Sequence, residues 1–277
     1  GYAGLSINWL GNPMDKMEAG DANTDWGAID PTQKHNTHYD GAGAAKPDDK
    51  TLDTIESPRN NNWFLLVLAA RRALTFLEQQ PEVDPAKLGV TGHSMGGKMA
   101  WSLAASQAER VQALVLMAPD GFPEAKDIGS KPYEVPAVMG LIKYCLPKYF
   151  VQKSIEPAFA DAEALNQALL NRYYDMLRAP GVRGAILDRS NQTIYTDPVP
   201  RLKQIKAPTL LLWGEEDKMI PSSNAQDYGR VLANSKIVVL PKLGHLLQEE
   251  QPDRGLNVVL DFLHNPVDAV ALERGPT

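Results

Sequence analysis

Apolar residues arrive along this chain in short unbroken runs that alternate with longer stretches where they recur every three or four positions. The runs are Leu88-Gly89-Val90 within Lys87 to Gly92, Gln112 to Ala118 (QALVLMA), Thr209 to Trp213 and Ile237 to Leu240. Each is too short for a helix and shows no polar face, which predicts strands buried on both sides, as in a parallel sheet. Between and around them, Trp63 to Gln80 repeats its apolar residues at helical spacing (Trp63, Leu66, Val67, Ala70, Leu74, Leu77), with Asn62 as N-cap and Pro81 as stop. Gly96 to Gln107, Ser222 to Ala233 and Asp253 to Leu263 carry the same helical period. Strands alternating with helices at this spacing imply right-handed crossovers and an α/β fold whose mostly parallel sheet is covered on both faces.

Two stretches depart from that pattern. Tyr2 to Trp9 predicts a short buried strand, but Gly11 to Asn62, which follows it, is dense in Gly, Asp, Asn and Pro and poor in aliphatics. A connection of that length is expected to be an irregular excursion packed by Trp26 and Ile29. From Pro119 to Pro200 the helical pieces shorten, prolines break them, and Tyr133, Met139, Tyr144, Tyr149, Phe150, Tyr173, Tyr174 and Met176 accumulate. The reading is a core of residues 1–119 and 201–277 interrupted by a helical cap at 120–200.

Charge and cysteine content narrow the function classes. A net charge of −6 with no Lys/Arg cluster argues against nucleic acid and anionic lipid as partners. The single cysteine, Cys145, excludes an internal disulfide and a cysteine metal cluster, and reads as a small hydrophobe in a helix. The longest apolar run, Trp63 to Ala70, falls far short of the ~18 residues of a membrane span. With no charged and apolar leader at its start, the expectation is a cytoplasmic protein.

The chemistry concentrates in Gly92-His93-Ser94-Met95-Gly96-Gly97, which follows a short aliphatic strand and precedes a helix. That context suits a nucleophile elbow: a serine on a strained turn, flanked by Gly92 and Gly96 because side chains there would meet the neighbouring strand and helix. The Met95 N–H, at the start of the helix, stands beside the nucleophile as an oxyanion donor. A serine hydroxyl needs a histidine to take its proton and a carboxylate to hold that histidine's tautomer. Of five histidines, His93 sits in the turn and is expected to point elsewhere, and His264 ends the last helix at the surface. His35 and His38 lie with Asp40 in the polar stretch as solvated side chains rather than metal ligands. His245, in Leu243-Gly-His just after a strand, is the candidate base. Asp217, in Gly214-Glu-Glu-Asp after the strand Thr209 to Trp213, is the favoured acid, since Ser, Asp, His is the chain order this fold expects. Asp120, directly after the strand that follows the elbow, is the alternative acid; Glu215 and Glu216 read as solvated.

The elbow, the segment Ala207-Pro-Thr-Leu-Leu-Leu-Trp-Gly-Glu-Glu-Asp-Lys-Met-Ile-Pro and Leu243-Gly-His245 together resemble the α/β-hydrolase superfamily, with residues 88–263 similar to its capped carboxylesterases and lipases. Residues 1–100 are more similar to acetylxylan-esterase-like and dienelactone-hydrolase-like members, as in a mosaic. The resemblance implies an ester hydrolase that works without a cofactor or metal, through an acyl-enzyme formed on a small-molecule ester. Its alternatives are carbon–carbon or amide hydrolysis on the same scaffold, or a non-catalytic binding module. Family members carry more strands ahead of the one that Tyr2 to Trp9 resembles, so the sheet is expected to be incomplete at its amino-terminal side. Either Tyr2 to Trp9 then pairs directly with Lys87 to Gly92, or a second copy of the chain covers the edge as a homodimer.

Overall fold

The computed structural model describes residues 73–123, 125–129, 135–178, 182–184, 186–187 and 195–265. Tyr2 to Trp9, the stretch Gly11 to Asn62 with His35, His38 and Asp40, and most of the helix expected over Trp63 to Gln80 lie outside them; helical turns cover 73–78. The chain divides into two compact units, one of Phe76–Ser130, Lys148–Asn171 and Ile194–Thr277, the other of Gly1–Thr75, Lys131–Pro147 and Arg172–Thr193.

Among the described residues, the first unit holds four parallel strands in sequential order: β1 (Gly89–His93), β2 (Ala113–Met117), β3 (Thr209–Gly214) and β4 (Ser235–Leu240). Register is fixed by Val90 beside Leu114, Leu116 beside Leu211, and Leu211 beside Ile237. Every residue of β3 is buried, as its unbroken apolar run requires of a strand flanked on both edges and covered on both faces. On one face Val115, Leu210 and Leu212 pack with Leu243, Leu247 and Phe262. Phe262 comes from the closing helix Pro252–His264, which also brings Val258, Val259 and Leu263 to this cluster. Helix α1 (Met95–Ser106) follows β1 directly and buries Ala100, Trp101, Leu103, Ala104 and Ala105. The small residues that the sequence shows here let α1 lie close to the strands. Helix Asn224–Val231 joins β3 to β4 and buries Ala225 and Tyr228.

Between β2 and β3 the chain forms short pieces, as the proline breaks predict: 3-10 turns at Ala137–Lys143 and Glu156–Ala158, and helices Lys148–Ile155, Gln167–Arg178 and Val199–Leu202. Within the sheet's unit, Val151, Ala158 and Phe159 of this stretch are buried, while Tyr149 and Phe150 face solvent. In the other unit the described residues include the Ala137–Lys143 turn, where Arg183 donates to the Ile142 carbonyl at 3.2 Å. No helix among the described residues is long and apolar enough to cross a membrane.

Candidate active site

The carboxyl ends of β1, β3 and β4 supply the three residues that the sequence singles out. Ser94 occupies the single-residue turn between β1 and α1 with φ 53° and ψ −123°, a conformation costing about 1–3 kcal/mol for a residue with a side chain. The surroundings hold it there. Its N–H donates to the Met117 carbonyl at 2.9 Å, and its own carbonyl accepts from the Asp120 N–H at 2.9 Å. A Cβ on Gly92 would lie 2.2 Å from the Gly96 carbonyl oxygen, so only glycine fits where the strand meets the helix. The second such position differs from the expectation. Among the described residues nothing lies within 4 Å of a Cβ built on Gly96, whereas one on Gly97 would sit 2.7 Å from Pro119 Cβ. Helix α1 turns Gly96 outward and presses Gly97 against the end of β2.

Asp217 and His245 meet directly. His245 Nδ1–H donates to Asp217 Oδ2 at 2.7 Å, and both residues are nearly sealed from solvent, at 6% and 3% exposed. The other carboxylate oxygen, Oδ1, accepts from the Met219 and Ile220 N–H groups at 2.8 Å each, so both oxygens are engaged and the carboxylate cannot swing away. The Ile220 carbonyl in turn accepts the Trp213 indole N–H at 3.0 Å, anchoring this loop to β3. The two loops touch through backbone: a Cβ on Gly214 would fall 2.2 Å from the Gly244 carbonyl oxygen, and the Glu216 N–H donates to the Leu243 carbonyl at 2.9 Å. Glu215 and Glu216 themselves are exposed, as expected.

Asp120 is not the partner of His245. Its backbone is held instead by the Ser94 carbonyl, by the Tyr228 hydroxyl donating at 2.9 Å and by the Trp101 indole N–H at 3.3 Å. Burial pushes the Tyr228 phenol well above its ordinary pKa, which keeps it a donor.

His93 overturns the expectation that it points elsewhere. Its Nε2–H donates to the His245 backbone carbonyl at 2.8 Å, and the two imidazole rings lie 4.5 Å apart, tilted by 51°. The residue just before Ser94 thereby grips the histidine loop. Burial, and then the neighbouring His245, push the His93 pKa down to about 4, so near neutral pH it is an uncharged donor. Among the described residues, Ser94 is linked to the Asp217–His245 pair through this neighbour rather than by a hydrogen bond of its own hydroxyl. A second residue without a sequence signal is Glu250. Its carboxylate accepts the Gly244 N–H at 2.7 Å and the Ala160 N–H at 2.9 Å. An acidic residue in a short run of glutamines and glutamates reads as solvated surface, so no local pattern marks it. Among the described residues no three His, Cys, Asp or Glu side chains gather as a metal site.

A strained serine after β1, an aspartate after β3 and a buried histidine after β4 point to the class. The chain belongs to the alpha/beta hydrolase family, whose model matches residues 27–257. It is 29% identical over 203 residues to a 2-hydroxy-6-oxo-6-phenylhexa-2,4-dienoate hydrolase of Burkholderia cepacia, covering 72% of this chain and 69% of that one. Among solved structures it is similar to a meta-cleavage product hydrolase from Pseudomonas fluorescens IP01, with TM-score 0.56, 20% identity and coverage of 73% and 72%. It is also similar to a thermophilic esterase from Thermogutta terrifontis, with TM-score 0.55, 22% identity and coverage of 73% and 71%. At these identities the structural likeness establishes the fold. Eight such curated relatives are spanned over 61% to 69% of their own length.

Proposed function

We propose that this chain is a serine hydrolase that cleaves esters through an acyl-enzyme on Ser94, with His245 as general base and acid and Asp217 as the group that orients it. The observation that carries the reading is the buried 2.7 Å bond from His245 Nδ1–H to Asp217, which fixes the tautomer leaving Nε2 as the proton acceptor. Ser94 Oγ attacks the ester carbonyl while Nε2 takes its proton. Asp217 stabilises the imidazolium that forms, and the Met95 N–H, on the first residue of α1, binds the developing oxyanion. Collapse expels the alcohol, protonated by His245, and water repeats the sequence in the second half to release the acid.

A second reading is favoured by the relatives, whose names include carbon–carbon hydrolysis substrates with a 6-oxo ketone. The same attack on a ketone carbonyl would release a carbon leaving group, which must be protonated where an ester's alcohol is. Assaying p-nitrophenyl acetate, butyrate and octanoate beside 2-hydroxy-6-oxo-6-phenylhexa-2,4-dienoate separates the two by kcat/KM. Ester turnover exceeding that of the dienoate is expected; the reverse ranking moves the function to carbon–carbon cleavage. A folded preparation whose Ser94 resists a fluorophosphonate probe would sink both and leave a binding module.

A further inference from the structure

Glu250 ends the helix Leu247–Glu250, five positions after His245, and its side chain turns back on the loop it leaves. Oε1 accepts from the Gly244 N–H at 2.7 Å; Oε2 accepts from the Ala160 N–H at 2.9 Å and, at longer range, from the Asp161 N–H at 3.5 Å. One carboxylate thus joins the backbone on the amino-terminal side of His245 to an irregular segment of the stretch inserted between β2 and β3. On the carboxyl-terminal side the Leu246 N–H donates directly to the Ala158 carbonyl at 3.1 Å. The contact is tight as well as bonded: a Cβ on Gly244 would lie 2.6 Å from both the Ala158 oxygen and the Ala160 nitrogen. His245 is therefore bracketed, its two chain neighbours both fastened to residues 158–161, with Glu250 the side chain in the fastening among the described residues.

We propose that Glu250 is a positioning residue that sets the place of the His245 imidazole by locking its loop onto Ala158–Asp161, so that the inserted segment and the base move as one. The role rests on His245 being the base, as argued above. An ionised carboxylate suits it because both oxygens can only accept, and such charge-assisted bonds are short and strong. An amide keeps one acceptor and turns an NH2 toward the other backbone donor, breaking one side of the bracket at nearly constant volume.

The test compares wild type, Glu250→Gln and Glu250→Asp in the full chain, using p-nitrophenyl butyrate for kcat and KM and a fluorophosphonate for the labelling rate of Ser94. Glu250→Gln should lower kcat and slow labelling by the same roughly 10- to 100-fold, the size of loss that a displacement of about 1 Å causes, with KM within about twofold. Glu250→Asp keeps both acceptors on a shorter arm and should lose only about 3- to 10-fold, which also serves if the amide variant does not fold. A Glu250→Gln protein that is less stable but labels and turns over at the wild-type rate reduces Glu250 to a structural tie, and a rise in KM alone overturns the role equally. Failure of wild type to label overturns the catalytic reading itself and this role with it; normal wild-type labelling with an unaffected variant overturns only the role.

Discussion

The turn that carries Ser94 and the loops that carry Asp217 and His245 both depend on glycines pressed against backbone, yet they are held in opposite ways. At the elbow the force is steric. Gly92 and Gly97 let β1, α1 and Pro119 close on a residue whose φ is positive, and Ser94 remains partly open to solvent. At the acid–base pair the crossing of Gly214 over Gly244 only brings the loops within reach; polar groups then hold the side chains, with the His245 N–H and two backbone N–H groups on one buried carboxylate. The proposed roles fit this difference: a nucleophile has to be reachable, whereas a base and its orienting acid work best shielded, where hydrogen bonds are strong but an unmatched group is costly. Added atoms should therefore damage the elbow, and removed polar atoms the pair.

The largest effect is expected where both halves fail together. Ser94→Ala should cut kcat by about a million-fold while the fold persists, the size of loss seen when a triad acts as a unit. Residual turnover above a few per cent in a clean preparation would be incompatible with Ser94 as nucleophile. Asp217→Asn keeps the shape of the pair but presents an NH2 or a neutral oxygen to Nδ1, and should cost about ten-thousand-fold in kcat by favouring the wrong tautomer. Asp120→Asn, whose native structural role is played by its backbone, should stay within a few-fold, and equal losses from the two would erase the distinction between acid and neighbour.

His93 joins the two regions and should show itself in stability rather than rate. The unfolded chain protonates His93 near the ordinary 6.5, the folded chain only near 4. Between those values the unfolded state binds more protons, so stability falls as pH drops from 6.5 toward 4, by about 3 kcal/mol at most, and the effect is absent above pH 6.5. Urea denaturation at pH 7, 6, 5 and 4 should lose a corresponding part of its acid-side slope in His93→Gln; parallel curves for the two proteins would mean that His93 titrates normally. The smallest difference discriminates the elbow's glycines. Gly97→Ala should lose about 1–3 kcal/mol through overpacking against Pro119, and Gly96→Ala about 0.5 kcal/mol or less, a ranking that thermal melts can reverse.

The same contrast explains what could be read from the sequence. The four strands were legible because each is an unbroken apolar run, and their bounds differ from the expectation by a residue or two: Gly89–His93 for Lys87 to Gly92, and Ser235–Leu240 for Ile237 to Leu240. The elbow was legible because strand, turn and helix are contiguous. His245 and Asp217 could be nominated from chain order and strand ends, since the fold brings those ends together. His93 and Glu250 could not, because their meaning lies in partners far along the chain: the His245 carbonyl is 152 residues from His93, and Ala160 is 90 from Glu250. The exchange of Gly96 for Gly97 turns on which side of α1 faces β2, a rotation of one residue that a motif does not encode.

Because β2 and β3 are neighbours in the sheet, the roughly ninety residues between Met117 and Thr209 leave and return at adjacent points of the same surface. The entropy of closing such an excursion grows only with the logarithm of its length, so halving or doubling it alters stability by about 0.6 kcal/mol. The sheet is nearly indifferent to how much chain is spliced in there. Much of that excursion can then be exchanged while the strands and the loops at their carboxyl ends stay in place. Stretches that pack on the scaffold travel with it rather than with the insert: Ala118 to Asp120, bonded to β3 and to Ser94, and the residues around Ala158 and Phe159, bonded to the histidine loop.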